Sequence, residues 1–175
     1  REEERLEEVL RRAEEILKRL EDEVRKVVED SKKNIEDVRR EVEEVLKKSE
    51  DRLRKLARDS GEEVKKIVTE LTERSKKSVE DVKKLLDDLR ELTKELERRA
   101  RELLKELRER IKRLEDEGVT EELEKRLKEI LDRAAEEIRR IIRELEELNK
   151  EANDRIRKII KENEDLIREA EERTR

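Results

Sequence analysis

The sequence predicts an all-α protein: a long, up-down-up, antiparallel three-helix bundle with an 18-residue period and little supercoil. The chain of 175 residues contains no proline and has two glycines, Gly61 and Gly118, which divide it into three segments. Each segment consists mostly of strong helix formers, and its apolar residues recur at helical spacing. We expect the whole chain, 1–175, to form a single domain.

The two glycines separate the predicted helices, which cover about 3–58, 62–117 and 120–174. Ser60 and Glu63 have the spacing of a capping box before the second helix. Gly118 is a helix-stopping glycine, and Thr120 is a cap for the third helix. Such short connections force neighbouring helices to run antiparallel, which predicts the up-down-up arrangement.

The apolar residues keep one angular position along each helix when residues are placed at about 100° per position. In each helix they fill an arc about 140° wide, which suits the contact face of a three-helix core. Three series repeat every 18 residues: Leu20, Val38, Leu56; Val64, Val82, Ala100; and Leu127, Leu145, Asn163. This repeat corresponds to about 3.6 residues per turn, whereas a heptad repeat requires about 3.5 and a left-handed supercoil. The bundle is therefore expected to be nearly straight.

Several Ser, Thr and Asn residues lie on or beside these apolar arcs, and antiparallel pairing places them at two depths. The first set is Ser31, Asn34, Thr93, Asn149 and Asn153. The second set is Ser49, Thr72, Ser75, Ser78 and Asn163. A buried hydroxyl or amide without a partner costs about 1–3 kcal/mol, so polar groups at one depth are expected to bond to each other. The pattern predicts two buried hydrogen-bond networks that penalise wrong helix registers.

The alternative reading is that these polar residues line a ligand or ion site. Binding sites in helical bundles usually use aromatic side chains or strong ligands, and the sequence contains no aromatic residue and no histidine. A di-metal carboxylate centre would need Glu-x-x-His pairs, and nucleophilic catalysis would need an activating base. The sequence therefore predicts no catalytic residue, no metal ligand and no cofactor, and an enzyme is not expected.

The charge pattern excludes further classes of partner. Charged residues make up 60% of the chain, and 50 basic and 55 acidic residues are mixed along its length. Because no basic stripe is present, nucleic-acid binding is not expected. The longest apolar runs are two residues, such as Ile141-Ile142, so neither a membrane span nor a signal peptide is expected. The chain is expected to be soluble, and no natural compartment is implied.

Eight residue types are missing from the chain: Phe, Trp, Tyr, Met, Cys, His, Pro and Gln. Together with the 18-residue period, the connections DSGEE and EGVTEE and the polar levels, this alphabet resembles computationally designed straight three-helix bundles with buried hydrogen-bond networks. The resemblance covers the whole chain. Spectrin-like repeats would be expected to carry buried aromatics, and tropomyosin-like coils a heptad repeat.

The resemblance implies a designed structural scaffold with no natural biochemical activity and no required partner. The alternative is a designed building block that forms a homo-oligomer or receives a partner helix. Apolar arcs of about 140° are filled by two neighbouring helices, which favours a monomer.

Overall fold

The protein folds into three long α-helices. The computed structural model describes residues 2–58, 60–117 and 120–173. The helices are α1 (Glu2–Arg58), α2 (Glu62–Glu117) and α3 (Glu121–Arg173). Each pair of helices is in contact, and no strand occurs in the described ranges. The chain is therefore an all-α three-helix bundle, which confirms the fold class predicted from the periodicity.

The helix starts show one expected cap and one correction. The Thr120 hydroxyl accepts a hydrogen bond from the Leu123 amide at 3.2 Å, so Thr120 caps α3. At α2 the first backbone bond runs from the Lys65 amide to the Gly61 carbonyl at 3.2 Å. The N-cap position is therefore Gly61 and not Ser60, and the expected capping box between Ser60 and Glu63 is one residue out of register. The expected helix stop at Gly118 lies outside the described residues.

The chain packs as two compact units, and each contains a segment of all three helices. Unit 1 consists of Arg1–Ser31 and Leu92–Glu147, and unit 2 consists of Lys32–Glu91 and Leu148–Arg175. The expectation of a single domain over 1–175 stays a prediction.

In unit 1, α1 and α2 run antiparallel. Glu21 of α1 forms an ion pair with Arg108 of α2, whereas Ser31, further along α1, bonds to Thr93, which comes earlier in α2. The buried leucines and isoleucines of this unit are Leu17, Leu20, Leu96, Leu104, Leu107, Ile111, Leu127, Leu131, Ile138, Ile141 and Leu145. They share one face of each helix, as the apolar arcs require.

In unit 2, α1 and α3 run parallel, because Asn34 bonds to Asn153 and Arg52 bonds to Glu171. Two groups of buried apolar residues are described in the core of this unit. The large cluster contains Ile35, Val42, Val79, Val82, Leu86, Leu89, Ala152 and Ile156. The small cluster contains Leu53, Val68 and Ile167, with half-buried neighbours such as Leu56 and Leu71.

Candidate functional site: buried polar levels

The polar side chains of unit 1 that sequence reasoning singled out form a direct pair. Ser31 of α1 and Thr93 of α2 are both buried, and their hydroxyl oxygens lie 2.9 Å apart. Either hydroxyl can donate, since each carries one proton and two lone pairs. The pair is a hydrogen bond between two helices inside the core.

Three asparagines of unit 2 form the asparagine cluster: Asn34 on α1, and Asn149 and Asn153 on α3. The Asn34 amide nitrogen donates to the Asn149 Oδ1 at 3.1 Å and to the Asn153 Oδ1 at 3.0 Å. The Asn153 amide nitrogen returns a bond to the Asn34 Oδ1 at 3.0 Å. Asn149 and Asn153 are one helical turn apart and therefore lie on one face of α3. Both protons of the half-buried Asn34 amide are satisfied from that face.

A second polar level of unit 2 lies between its two apolar clusters. The buried Asn163 of α3 donates from Nδ2 to the Ser49 hydroxyl of α1 at 3.3 Å. Along α1, Ser49 comes between Val42 of the large cluster and Leu53 of the small one. Asn163 has the same position on α3, between Ile156 and Ile167. This hydrogen bond therefore sits where the apolar packing changes from one cluster to the other.

Ser75 of α2 lies at the same boundary, between Val68 and Val79. Its side chain is 3% exposed, and its hydroxyl oxygen has no hydrogen-bond partner among the described residues. The sequence expectation placed Ser75 in a network with Ser49 and Asn163. The structure brings Ser75 to the level of these residues without a bond to either.

The hydroxyls of Thr72 and Ser78 stay within their own helix. Thr72 donates to the Val68 carbonyl at 2.7 Å, and Ser78 donates to the Arg74 carbonyl at 3.0 Å. Both side chains are half-buried at the flank of the core, where the carbonyl four residues earlier is the nearest acceptor. Their single protons are therefore not available to α1 or α3, although the sequence expectation grouped them with Ser49 and Asn163.

Two ion pairs between α1 and α3 were not predicted. In unit 1, Arg5 donates to Glu124 at 2.8 Å, and in unit 2, Arg52 donates to Glu171 at 2.7 Å. The pKa of Arg52 is raised above its ordinary value, chiefly by its side-chain hydrogen bond to Glu171 and against the opposing effect of partial burial. The Arg5 pair is exposed and the Arg52 pair is half-exposed, so water screens both and each contributes at most about 1 kcal/mol. The two partners in each pair are separated by 119 residues, a register signal that sequence reasoning could have searched for.

The largest groove described in unit 1 does not converge on a reactive group. It has a volume of about 730 Å³, and its apolar lining residues are Val27 and Ile142. Its other lining residues carry both signs of charge, such as Glu23, Lys26 and Arg139. No group of three or more acidic, His or Cys side chains that could hold a metal ion occurs among the described residues.

The chemistry within reach of these side chains is hydrogen bonding between hydroxyls and amides. None of the described helices is both long and apolar enough to span a bilayer. Comparisons with protein-family models, with curated proteins and with solved structures found no match to this chain.

Proposed function

We propose that this protein is a designed structural scaffold with no natural biochemical activity, in which buried polar side chains set the register of the helices. Its role is structural: the chain keeps three helices in a single register. The contacts of the buried polar groups support the role in register, and the composition of the chain supports the designed origin.

The observation that carries the proposal is the reciprocal amide pair between Asn34 and Asn153. Each of these amides donates to the oxygen of the other at 3.0 Å, and Asn34 also donates to Asn149. If α3 moved one turn along α1, Asn34 would keep at most one of its two asparagine partners, because Asn149 and Asn153 are themselves one turn apart. An unpaired polar group costs about 1–3 kcal/mol when it is buried and less when it is half-buried, as these asparagines are, so the cluster favours one register over its neighbours.

The composition supports a designed origin. Apart from the buried Ser, Thr and Asn residues, the buried positions are filled by Leu, Ile, Val and Ala, and most exposed positions carry charged residues of both signs. Natural domains of this size ordinarily use nearly all residue types, with proline alone at about 5%, whereas eight types are missing here.

A register measurement tests the proposal. We expect the variant with Asn34→Leu, Asn149→Leu and Asn153→Leu to be more stable but less well defined in register. Because the chain has no cysteine, spin labels can be attached through Lys47→Cys on α1 and Glu162→Cys on α3, both exposed positions. The label-to-label distance distribution should be narrow in the parent chain and broader in the variant.

Thr72→Val is the matched control, because the Thr72 hydroxyl bonds within its own helix and should leave the distribution unchanged. An equally narrow distribution in the triple asparagine variant would show that apolar packing alone sets the register, and would refute this role.

The second candidate function is a building block that self-associates or receives a partner helix. The observation that favours it is Leu92 of α2, a large apolar side chain that is 43% exposed. Single exposed leucines are common on monomeric proteins, so this observation is weaker than the asparagine cluster. The mass of the protein in solution distinguishes the two candidates.

A further inference from the structure

We propose that unit 2 unfolds cooperatively at a lower free energy than unit 1, so that 32–91 and 148–173 open while 2–31 and 92–147 stay folded. Cooperative units of this kind are expected where the packing of a protein differs from one region to another.

The first support is the content of the two cores. Unit 2 buries fewer large aliphatic side chains than unit 1, although the two units are nearly equal in length. Its buried leucines and isoleucines are Ile35, Leu53, Leu86, Leu89, Ile156 and Ile167, and its remaining buried apolar residues are valines and alanines. Since stabilisation rises with the apolar area removed from water, unit 2 receives less of it.

The second support is the state of the buried polar groups. In unit 1, Ser31 and Thr93 satisfy each other at 2.9 Å. In unit 2, Asn163 donates to Ser49 at the longer distance of 3.3 Å, and the Ser75 hydroxyl is buried without a partner among the described residues. An unsatisfied buried hydroxyl favours the open state, because water hydrogen-bonds to it there.

The third support is the way the core of unit 2 is divided. Among the described residues, the small cluster has three buried members, Leu53, Val68 and Ile167. The polar level of Ser49, Ser75 and Asn163 separates it from the large cluster. The small cluster therefore gains little from neighbouring apolar layers. Opening of unit 2 would expose the apolar faces of 32–91 and 148–173, which makes this unit the one that proteases or an added helix would reach first.

Native-state hydrogen exchange on the full chain tests the proposal. All three helices pass through both units, so amide protection should change in a step near residue 31 in α1, 91 in α2 and 147 in α3. In each helix the lower protection should be on the unit 2 side of the step. We expect the slowest amides of unit 2 to exchange at least about tenfold faster than those of unit 1. Fraying would instead lower protection at both ends of every helix. One protection level throughout, or a smooth decline from the helix ends, would overturn the proposal.

A pair of serine variants of the full chain tests the physical cause. Ser75→Ala removes the unpartnered hydroxyl and should slow exchange of the slowest amides of unit 2 by roughly fivefold. Ser78→Ala, one turn away on α2, removes a hydroxyl satisfied within its own helix and should leave both units nearly unchanged. If Ser75→Ala leaves exchange in unit 2 as fast as in the parent chain, the unpartnered hydroxyl does not destabilise unit 2 and this part of the proposal is wrong.

Discussion

Asn163 and Ser49 show how much one polar residue in an apolar core depends on its partner. The amide of Asn163 is buried and donates to the Ser49 hydroxyl on a different helix. Replacing one member of such a pair leaves the other buried and unpaired, whereas replacing both removes the unpaired group. The effect of a substitution at either position is therefore set by the residue that remains.

We expect Asn163→Leu to stabilise the protein by less than its added apolar burial implies. Burying a leucine contributes about 1.5–3 kcal/mol, but the orphaned Ser49 hydroxyl costs about 1–3 kcal/mol. The double variant Asn163→Leu, Ser49→Val should be more stable than the sum of the two single changes. Denaturant unfolding of the four proteins in a double-mutant cycle measures this coupling. If both single substitutions raise the melting temperature as isolated apolar gains would, the two residues do not act as a pair.

The helix starts show the same dependence on local partners at the scale of an element. The first amides of a helix have no acceptor within the helix, and a side-chain oxygen at the N-cap can supply one. Thr120 does so for α3, because its hydroxyl accepts from Leu123. At α2 the N-cap is Gly61, which has no side chain to offer, although Ser60 is the neighbouring residue.

Thr120→Ala should therefore destabilise the protein by about 1 kcal/mol, the usual cost of losing an N-cap side chain. Ser60→Ala is the matched change at the other connection and should shift stability by no more than about 0.5 kcal/mol. Thermal unfolding of the two variants under identical conditions compares them. Equal losses at the two positions would place Ser60 in a capping role and contradict the assignment of Gly61.

At the scale of the whole molecule, the exposed surface predicts the state of association. The charged residues of both signs cover the solvent-facing positions, and Leu92 is an isolated apolar exception among the described residues. We expect light scattering after gel filtration to give the monomer mass of 21.3 kDa. A dimer or trimer mass would contradict the monomer, and a return to the monomer in Leu92→Glu would locate the contact.

The periodicity of the sequence predicted the three-helix fold, because an apolar arc that stays on one face for more than fifty residues must be buried against other helices of the same length. The depth of each polar residue along the bundle was predictable, because its angle around the helix and its level on the neighbouring helices follow from its residue number. The direction of a hydroxyl was not predictable: Ser75 lies at the right depth but lacks a partner among the described residues, and Thr72 bonds to its own helix. The ion pair between Arg52 and Glu171 was not predicted. Charged residues flank the apolar arc of every helix, and the helix register to within one turn decides which of them form ion pairs.

The polar level between the two clusters of unit 2 has a consequence for temperature. Unit 2 buries fewer leucines and isoleucines than unit 1, and Ser49, Ser75 and Asn163 occupy core positions that leucine or isoleucine could fill, so we expect its unfolding to expose less apolar surface. Apolar exposure raises the heat capacity and polar exposure lowers it, so unit 2 has the smaller heat-capacity increment and the flatter stability curve. Since hydrophobic stabilisation weakens on cooling, unit 1 loses more of its advantage at low temperature. Cooling therefore brings the stabilities of the two units closer together, and warming towards room temperature separates them.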